Sequence, residues 1–392
     1  MKTVYFFGGN HPANEAIIKN PPPGYHIISN VPITVFENVN RVREYDFKKK
    51  LEKKFLDICF RILAEPRSII ITKPCDGIHT IGGAFPLNGI PHVIEVEYAS
   101  SFFGFYDEWN EHPAMVRALI HRLSNPLCKQ IIAYSEASRR TLINSLPVDT
   151  RSFLSRKCTT IWPAVPERIL KYHANPGTHD TLKVLFVGNH FFDKGGRELV
   201  YAIDKIHRKL DVQLDLVTKA PPHHAEYFEN FKRVWSQKEF IHFHKDVDRD
   251  YLFSELYSKA DLFVFPTYMD MVPYSILEAM GVGLPIVASD CFALPDMIEE
   301  NVTGKIIHAP ITSFPHEGLR TKATLLRYRE SVVNEKLFSG VVEALSVAIQ
   351  NLLESTGDLK RIGSNCRKVA EEGKFSLLRR NSALKEVYDG AF

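Results

Sequence analysis

Eight short apolar runs recur along the chain: TVYFF (3–7), SIIIT (68–72), HVIEVE (92–97), QIIAYS (130–135), KVLFVG (183–188), LDLVT (214–218), DLFVFP (261–266) and PIVASD (285–290). They are rich in Val, Ile and Phe, and they do not follow the in-out alternation of a strand with one wet face. Strands covered on both faces read this way, so the runs predict mostly parallel sheets with helices packed above and below. At 392 residues the chain exceeds one ordinary core and suits two α/β domains of ~150 to 200 residues each.

The break between domains is expected where the periodicity lapses. PERILKYHANPGTHD carries Pro166, Asn175, Pro176 and Gly177 ahead of a fresh strand, KVLFVG. The expected division is therefore a first domain over 1–166, a linker over 167–180, a second domain over 181–372 and a closing amphipathic helix over 373–392 that returns to the first. Residues 310–335 interrupt the strand and helix alternation with a basic stretch that includes Arg320, Lys322, Arg327 and Arg329. They read as an insertion, with a solvated surface excursion favoured over a binding role.

A net charge of +3 is too small for an electrostatic nucleic-acid binder, so no nucleic-acid partner is expected. The six cysteines form no CxxC pair, which argues against a structural zinc or a disulfide framework and favours a reducing, cytoplasmic setting. The opening apolar run is too short for a signal peptide, and no stretch is expected to reach the ~18 apolar residues of a membrane helix. Attachment to the inner membrane face stays open. The aromatic run Phe102, Phe103, Phe105 and Tyr106, with the basic amphipathic stretch 115–129, would permit a docking patch, although a helix packed on the sheet is the favoured reading.

Two strand ends carry the chemistry. After KVLFVG comes a loop with Lys194-Gly195-Gly196, then a helix with Leu199, Ile203 and Ile206 on one face. Glycine lets backbone approach a phosphate, the helix start offers unpaired N–H groups, and Lys194 adds positive charge. After DLFVFP comes TYMDMVPYSILEAMGVG, where Pro273 suits the first turn of a helix and Gly281 and Gly283 its end. Ile276, Leu277 and Met280 form the apolar face, which places Glu278 about 150° away, free to face a cleft or water. The N–H groups over Met271 to Tyr274 make an anion site, and Asp270 and Glu278 at its ends are suited to accept hydrogen bonds from hydroxyls.

Weaker signals stay open. Gly8-Gly9 after the first strand is equally a ligand loop or a tight turn. His11, His79 and His92 are read as polar residues at strand ends. Asp246-Val247-Asp248 has a metal-like spacing without a further acid, and a solvated turn is the favoured reading.

These residues resemble the retaining nucleotide-sugar glycosyltransferases of family 4, the group 1 glycosyltransferases, which have the GT-B architecture of two Rossmann-like domains facing across a cleft. FVGN-HFFDKGG resembles the family's glycine and lysine loop, with Lys194 at the lysine position. PTYMDMVPYSILEAMGVGLPIVASD resembles its E-x7-E region, with Asp270 and Glu278 as the acids, and ALPDMIEENVTGKII its continuation through Pro295, Asp296, Thr303 and Gly304. The likeness is specific over 183–305 and looser in the first half, where IIAYSEASRRTL and Gly8-Gly9 carry it. Three positions depart from the family's wording: Asn189 stands for an arginine, Asp270 for a glutamate, and Glu97 for a histidine.

The resemblance implies a metal-independent glycosyltransferase, hexosyltransferase-like, with no cofactor beyond its nucleotide diphosphate sugar donor. It implies transfer to a hydroxyl of a carbohydrate or lipid-linked acceptor with the anomeric configuration retained, in polysaccharide, glycolipid or glycoconjugate synthesis. Lys194, Asp270 and Glu278 would be catalytic. Gly8, Gly9, Asn189, Lys194, Gly195, Val272, Pro273 and Tyr274 would surround the donor phosphates. Asp270, Met271, Ser275 and Glu278 would hold sugar and ribose, and Glu97 and His11 are acceptor-side candidates. The alternatives are an inactive nucleotide-sugar-binding or scaffold subunit, and a GT-B relative with other chemistry: an inverting transferase, a phosphorylase or an epimerase.

Overall fold

The computed structural model describes residues 1–9, 12–31, 58–59, 61–220, 224–314, 319–332 and 334–392. The chain divides into two compact units, one of residues 1–166, 316–322 and 377–392, the other of 167–315 and 323–376.

The first unit is built on β1 (Lys2–Phe7), β2 (Tyr25–Ser29), β4 (Gly77–Ile81), β6 (His92–Val96), β7 (Cys128–Ala133) and β8 (Cys158–Thr160), in the order β2-β1-β4-β6-β7-β8 and parallel throughout. β3 (Ser68–Ile69) and β5 (Phe85–Pro86) pair apart from it. The run SIIIT thus gives a two-residue ribbon and not a sheet strand. The place beside β1 goes to GIHTI, whose His79 and Thr80 break the apolar reading yet are fully buried. They are buried because they are partnered: His79 Nδ1 lies 2.6 Å from the Tyr388 hydroxyl, and Thr80 Oγ1 donates to Ala84 O at 2.6 Å.

The helix Leu377–Ala391 belongs to this unit, where Leu384 and Tyr388 join Val4, Phe6, Ile17 and Val93 in the core. Arg380, 2% exposed, donates to Glu95 Oε1 at 2.5 Å and to Trp162 O at 2.8 Å. Burial alone would raise the Glu95 carboxyl, but Arg380 and His79 beside it outweigh that and hold it down to about 2.

The aromatic run does not form an outward patch. Phe102 and Phe103 are fully buried, Phe103 stacked on Trp109, while Phe105 is exposed. The basic helix ends earlier than its sequence suggests, spanning Pro113–Ser124, and buries Met115, Leu119 and Leu123. Its arginines are left toward water by the packing that the favoured reading required.

The second unit orders β9 (Leu182–Val187), β10 (Val212–Val217), β11 (Ile241–His244), β12 (Leu262–Phe265), β13 (Ile286–Ser289) and β14 (Gly304–Ile307) as β11-β10-β9-β12-β13-β14, again all parallel. Every residue of β12 and β13 is buried, which is why those runs do not alternate. From β9 the chain winds outward through β10 and β11, then returns to β12 on the other side. The order reverses between β9 and β12, and the crevice outside the carboxyl ends of strands at such a point is where open α/β sheets take ligands. Here it is the end of β9 and the end of β12 that lead into the Lys194 and Asp270 loops.

The stretch Glu335–Leu353 revises one expectation. By length and composition it could cross a membrane, with a mean hydropathy of 1.2 over 18 residues. Its Val341, Leu345 and Ile349 are buried, and its helix packs on Gly196–His207 as part of the unit's outer layer.

Candidate functional site

Sterics draw the two loops together. Gly195 has φ of +73°, a left-handed conformation that glycine adopts without a Cβ penalty, and a Cβ there would stand 2.3 Å from Pro266 O. Only a bare backbone fits at this approach. Asp193 O then accepts from Tyr268 N at 2.9 Å, and Gly188 abuts Phe265 and the stem of Lys194.

The result is a direct pair of the two predicted loops. Lys194 Nζ donates to Asp270 Oδ2 and to Met269 O, both at 2.5 Å, with side-chain exposures of 15% for Lys194 and 20% for Asp270. Asp270 Oδ1 accepts from Met271 N at 3.0 Å. Asp270 is thus turned to Lys194 and its own loop, whereas separate tasks are expected of the two residues from their motifs alone. Both retain a water-exposed side from which a polar ligand can compete.

The helix Tyr274–Val282 begins one residue later than expected, with Pro273 as its N-cap. Its first N–H groups have no intrahelical carbonyl, and the dipole favours an anion at that end. Val272 and Pro273 are buried, while Met271, Tyr274 and Ser275 are half-buried. Gly283, at φ of +93°, closes the helix by donating to Ala279 O and Met280 O.

Glu278 departs from its expected exposure. It is 5% exposed: Oε1 accepts from Arg249 Nη2 at 2.6 Å, and Oε2 from the Tyr257 hydroxyl at 3.3 Å. The helix is buried on every side from Ile276 to Val282, so Glu278 faces protein partners and not the open space expected of it. Burial works against the Arg249 guanidinium, and Glu278 more than offsets this, raising its pKa. Arg249 also lies 5.2 Å over the Phe253 ring. Sequence reading missed Arg249, although it directly follows the Asp246-Val247-Asp248 turn. In that turn Asp246 pairs with Lys219 at 2.9 Å and Asp248 caps the short helix Arg249–Tyr251. Among the described residues no cluster of three His, Cys, Asp or Glu is placed to hold a metal ion.

A second missed pair lies beneath the Lys194 loop. Arg197 and Glu198 are each 1% exposed and 2.5 Å apart. Burial disfavours the guanidinium charge, and Glu198 more than offsets this, raising its pKa. Their signal was the charged pair itself, in a helix turn where Leu199, Ile203 and Ile206 already marked the buried face.

The remaining candidates are scattered. Asn189 is exposed beyond β9. Gly8, Gly9 and Glu97 belong to the first unit: Gly8 exchanges hydrogen bonds with the Asn30 side chain at 3.0 Å, Gly9 O accepts from Asn14, and Glu97 is half-buried one residue past β6. His11 lies outside the described residues. An open groove of about 470 Å³ lined by Lys305, Ile307, His308, Glu343 and Asn351 runs along edge strand β14, and no predicted site residue lines it.

Residues 181–316 match the family model of the group 1 glycosyl transferases. The chain is 25% identical over 240 residues to the alpha-maltose-1-phosphate synthase of Mycolicibacterium smegmatis, an alignment that covers 57% of this chain and 59% of that relative. Among solved structures, Anabaena HepE in complex with UDP shares a TM-score of 0.60 at 15% identity, covering 99% of this chain and 100% of its own. Sucrose-phosphate synthase from Thermosynechococcus elongatus has the same TM-score at 16% identity, with coverage of 99% and 98%. These likenesses give the fold: two parallel-sheet α/β units of the GT-B class.

Proposed function

Taking residues 181–316 as a group 1 glycosyltransferase region, we propose that the protein transfers a sugar from a nucleotide diphosphate sugar to an acceptor hydroxyl. The observation that carries this reading is the meeting of Lys194, Asp270 and a helix start at the β9/β12 switch point. The UDP in the HepE structure makes uracil the first base to test.

In this reading the donor diphosphate lies at the start of helix Tyr274–Val282. Lys194 exchanges its bond to Asp270 for the β-phosphate, which gathers negative charge as the glycosyl bond breaks. Asp270, released from Lys194, accepts from a hydroxyl of the transferred sugar, and the backbone over Met271 to Ser275 lines that end. Glu278 faces the ribose hydroxyls with Arg249 fixing its orientation. The departing phosphate takes the proton of the acceptor hydroxyl on the same face, so configuration is retained. The leaving group's charge is met by Lys194 and backbone N–H groups, without a divalent ion. Six free cysteines, four of them buried, suit a reducing cytoplasmic setting.

A thermal-shift panel of UDP-, GDP- and ADP-sugars tests donor use, because binding to the folded state raises its apparent stability. Donor hydrolysis by the wild type that disappears in Lys194→Ala supports the reading. The absence of any shift or hydrolysis across the panel would favour the scaffold alternative, for which the engagement of both Glu278 oxygens by Arg249 and Tyr257 is the ground. Product anomer analysis by NMR decides retention, and activity lost to EDTA would overturn metal independence.

A further inference from the structure

The insertion at 310–335 grips both loops of the site. At its start Ser313, fully buried, donates its N–H to Tyr268 O at 2.7 Å, and Phe314 lies 6.0 Å from Phe292 between ring centres. At its end the helix Lys322–Ser331 buries Tyr328, 1% exposed, whose hydroxyl donates to Asp193 Oδ1 at 2.6 Å.

Both contacts fall next to the reacting groups. Asp193 directly precedes Lys194, and its carbonyl accepts from Tyr268 N at 2.9 Å and Thr267 Oγ1 at 3.4 Å. Tyr268, two residues before Asp270, is fully buried with its ring 4.5 Å from Phe338. The β9 loop therefore has its side chain held by one end of the insertion, and the β12 loop its backbone held by the other. A hydrogen bond from a neutral hydroxyl to a carboxylate is short and directional, so it fixes where the Asp193 side chain sits. Burial, and then the Asp193 charge, raise the Tyr328 pKa well above its ordinary value, which keeps the hydroxyl a donor across the neutral range.

We propose that Tyr328 is a positioning residue: through Asp193 it holds the Lys194 loop in the geometry that meets the donor's leaving phosphate. The role of Lys194 rests on the function proposed above; the bracing of the loop does not.

Two measurements separate these. Hydrogen exchange by mass spectrometry on wild type and Tyr328→Phe, without ligand, reads the brace alone. Amides over 189–196 should exchange ~10-fold faster in the variant, because local opening there loses its restraint, while amides of β6 and β7 are unchanged. Equal exchange over 189–196 in both proteins overturns the proposal. Turnover of UDP-, GDP- and ADP-glucose is then compared across variants. Tyr328→Phe and Asp193→Ala should each lower kcat by ~10-fold with KM changed less than ~3-fold, as expected for misplacement of a group that acts at the transition state. The double variant should fall no further, and Asp193→Asn, which keeps an acceptor oxygen, should restore near-normal turnover. Full additivity of Tyr328→Phe and Asp193→Ala would overturn the coupling. Normal turnover by Lys194→Ala would instead sink the reading of the site, and a dead Lys194→Ala beside a wild-type Tyr328→Phe would sink the positioning role alone.

Discussion

The Glu95–Arg380 cluster of the first unit and the Lys194–Asp270 and Arg249–Glu278 pairs of the second differ in their access to water. In the first, Glu95, Arg380 and His79 have side chains no more than 1% exposed, and the cluster ties the helix Leu377–Ala391 to the sheet. In the second, Arg249 is 28% exposed over its buried partner Glu278, and Lys194 and Asp270 are 15% and 20% exposed. A pair sealed from solvent cannot exchange partners without breaking the fold. A pair with one wet side can, and that is what a ligand requires. The same ion-pair chemistry thus serves architecture where it is sealed, as it also is at Arg197–Glu198 in the second unit, and is available for binding where one side stays wet.

Arg380→Met is the sharpest way to break the comparison. Removing one member of a fully buried pair leaves an uncompensated charge, so unfolding in urea should lose ~3–5 kcal/mol, followed by fluorescence of Trp109 and Trp162 in the first unit. The same cluster sets a pH dependence. Glu95 is depressed from near 4.5 to about 2 in the folded protein, so its contribution is fully present above the unfolded value and lost as pH falls through the folded one. The loss between about pH 4.5 and 2 should total roughly 3 kcal/mol at 1.36 kcal/mol per pKa unit, and Glu95→Gln should flatten that limb.

At the wet pair the balance is reversed. Lys194→Ala should lower turnover by ~10²-fold or more while changing stability by less than ~1 kcal/mol, as for a solvent-accessible ion pair. Near-normal turnover, or a stability loss matching that of Arg380→Met, would erase the distinction. Arg249→Ala should weaken donor binding by ~10-fold in calorimetry, since Glu278 loses the partner that orients it. Asn189→Arg, which adds a cation at the exposed end of β9, should tighten donor binding by only ~2–5-fold, within the range of a screened surface contact.

Much of the second unit was legible in the sequence because its information is local. KVLFVG, DLFVFP and PIVASD are strands, the glycines at 195 and 283 sit at positive φ, and both site loops follow strands. What was not legible lies across long sequence distances. GIHTI reads as polar until Tyr388, 309 residues away, partners His79 Nδ1. Glu278 reads as free until Arg249 and Tyr257 fill its surroundings. The insertion reads as a surface excursion, yet Tyr328 and Ser313 return to the site loops.

The sequence by itself determined the α/β class, the strand-end position of the candidate site and the residue types placed there. Periodicity and glycine placement are properties of neighbouring residues, so they can be read without knowing what packs against them. Tertiary structure decided which charges pair and which remain wet. Lys194 met Asp270 because Gly195 allows one loop to touch another 71 residues further on, at Pro266, and Arg380 became structural because its helix packs over Glu95. Pairing depends on which groups burial brings together and whether water can still reach them, and no local pattern carries that.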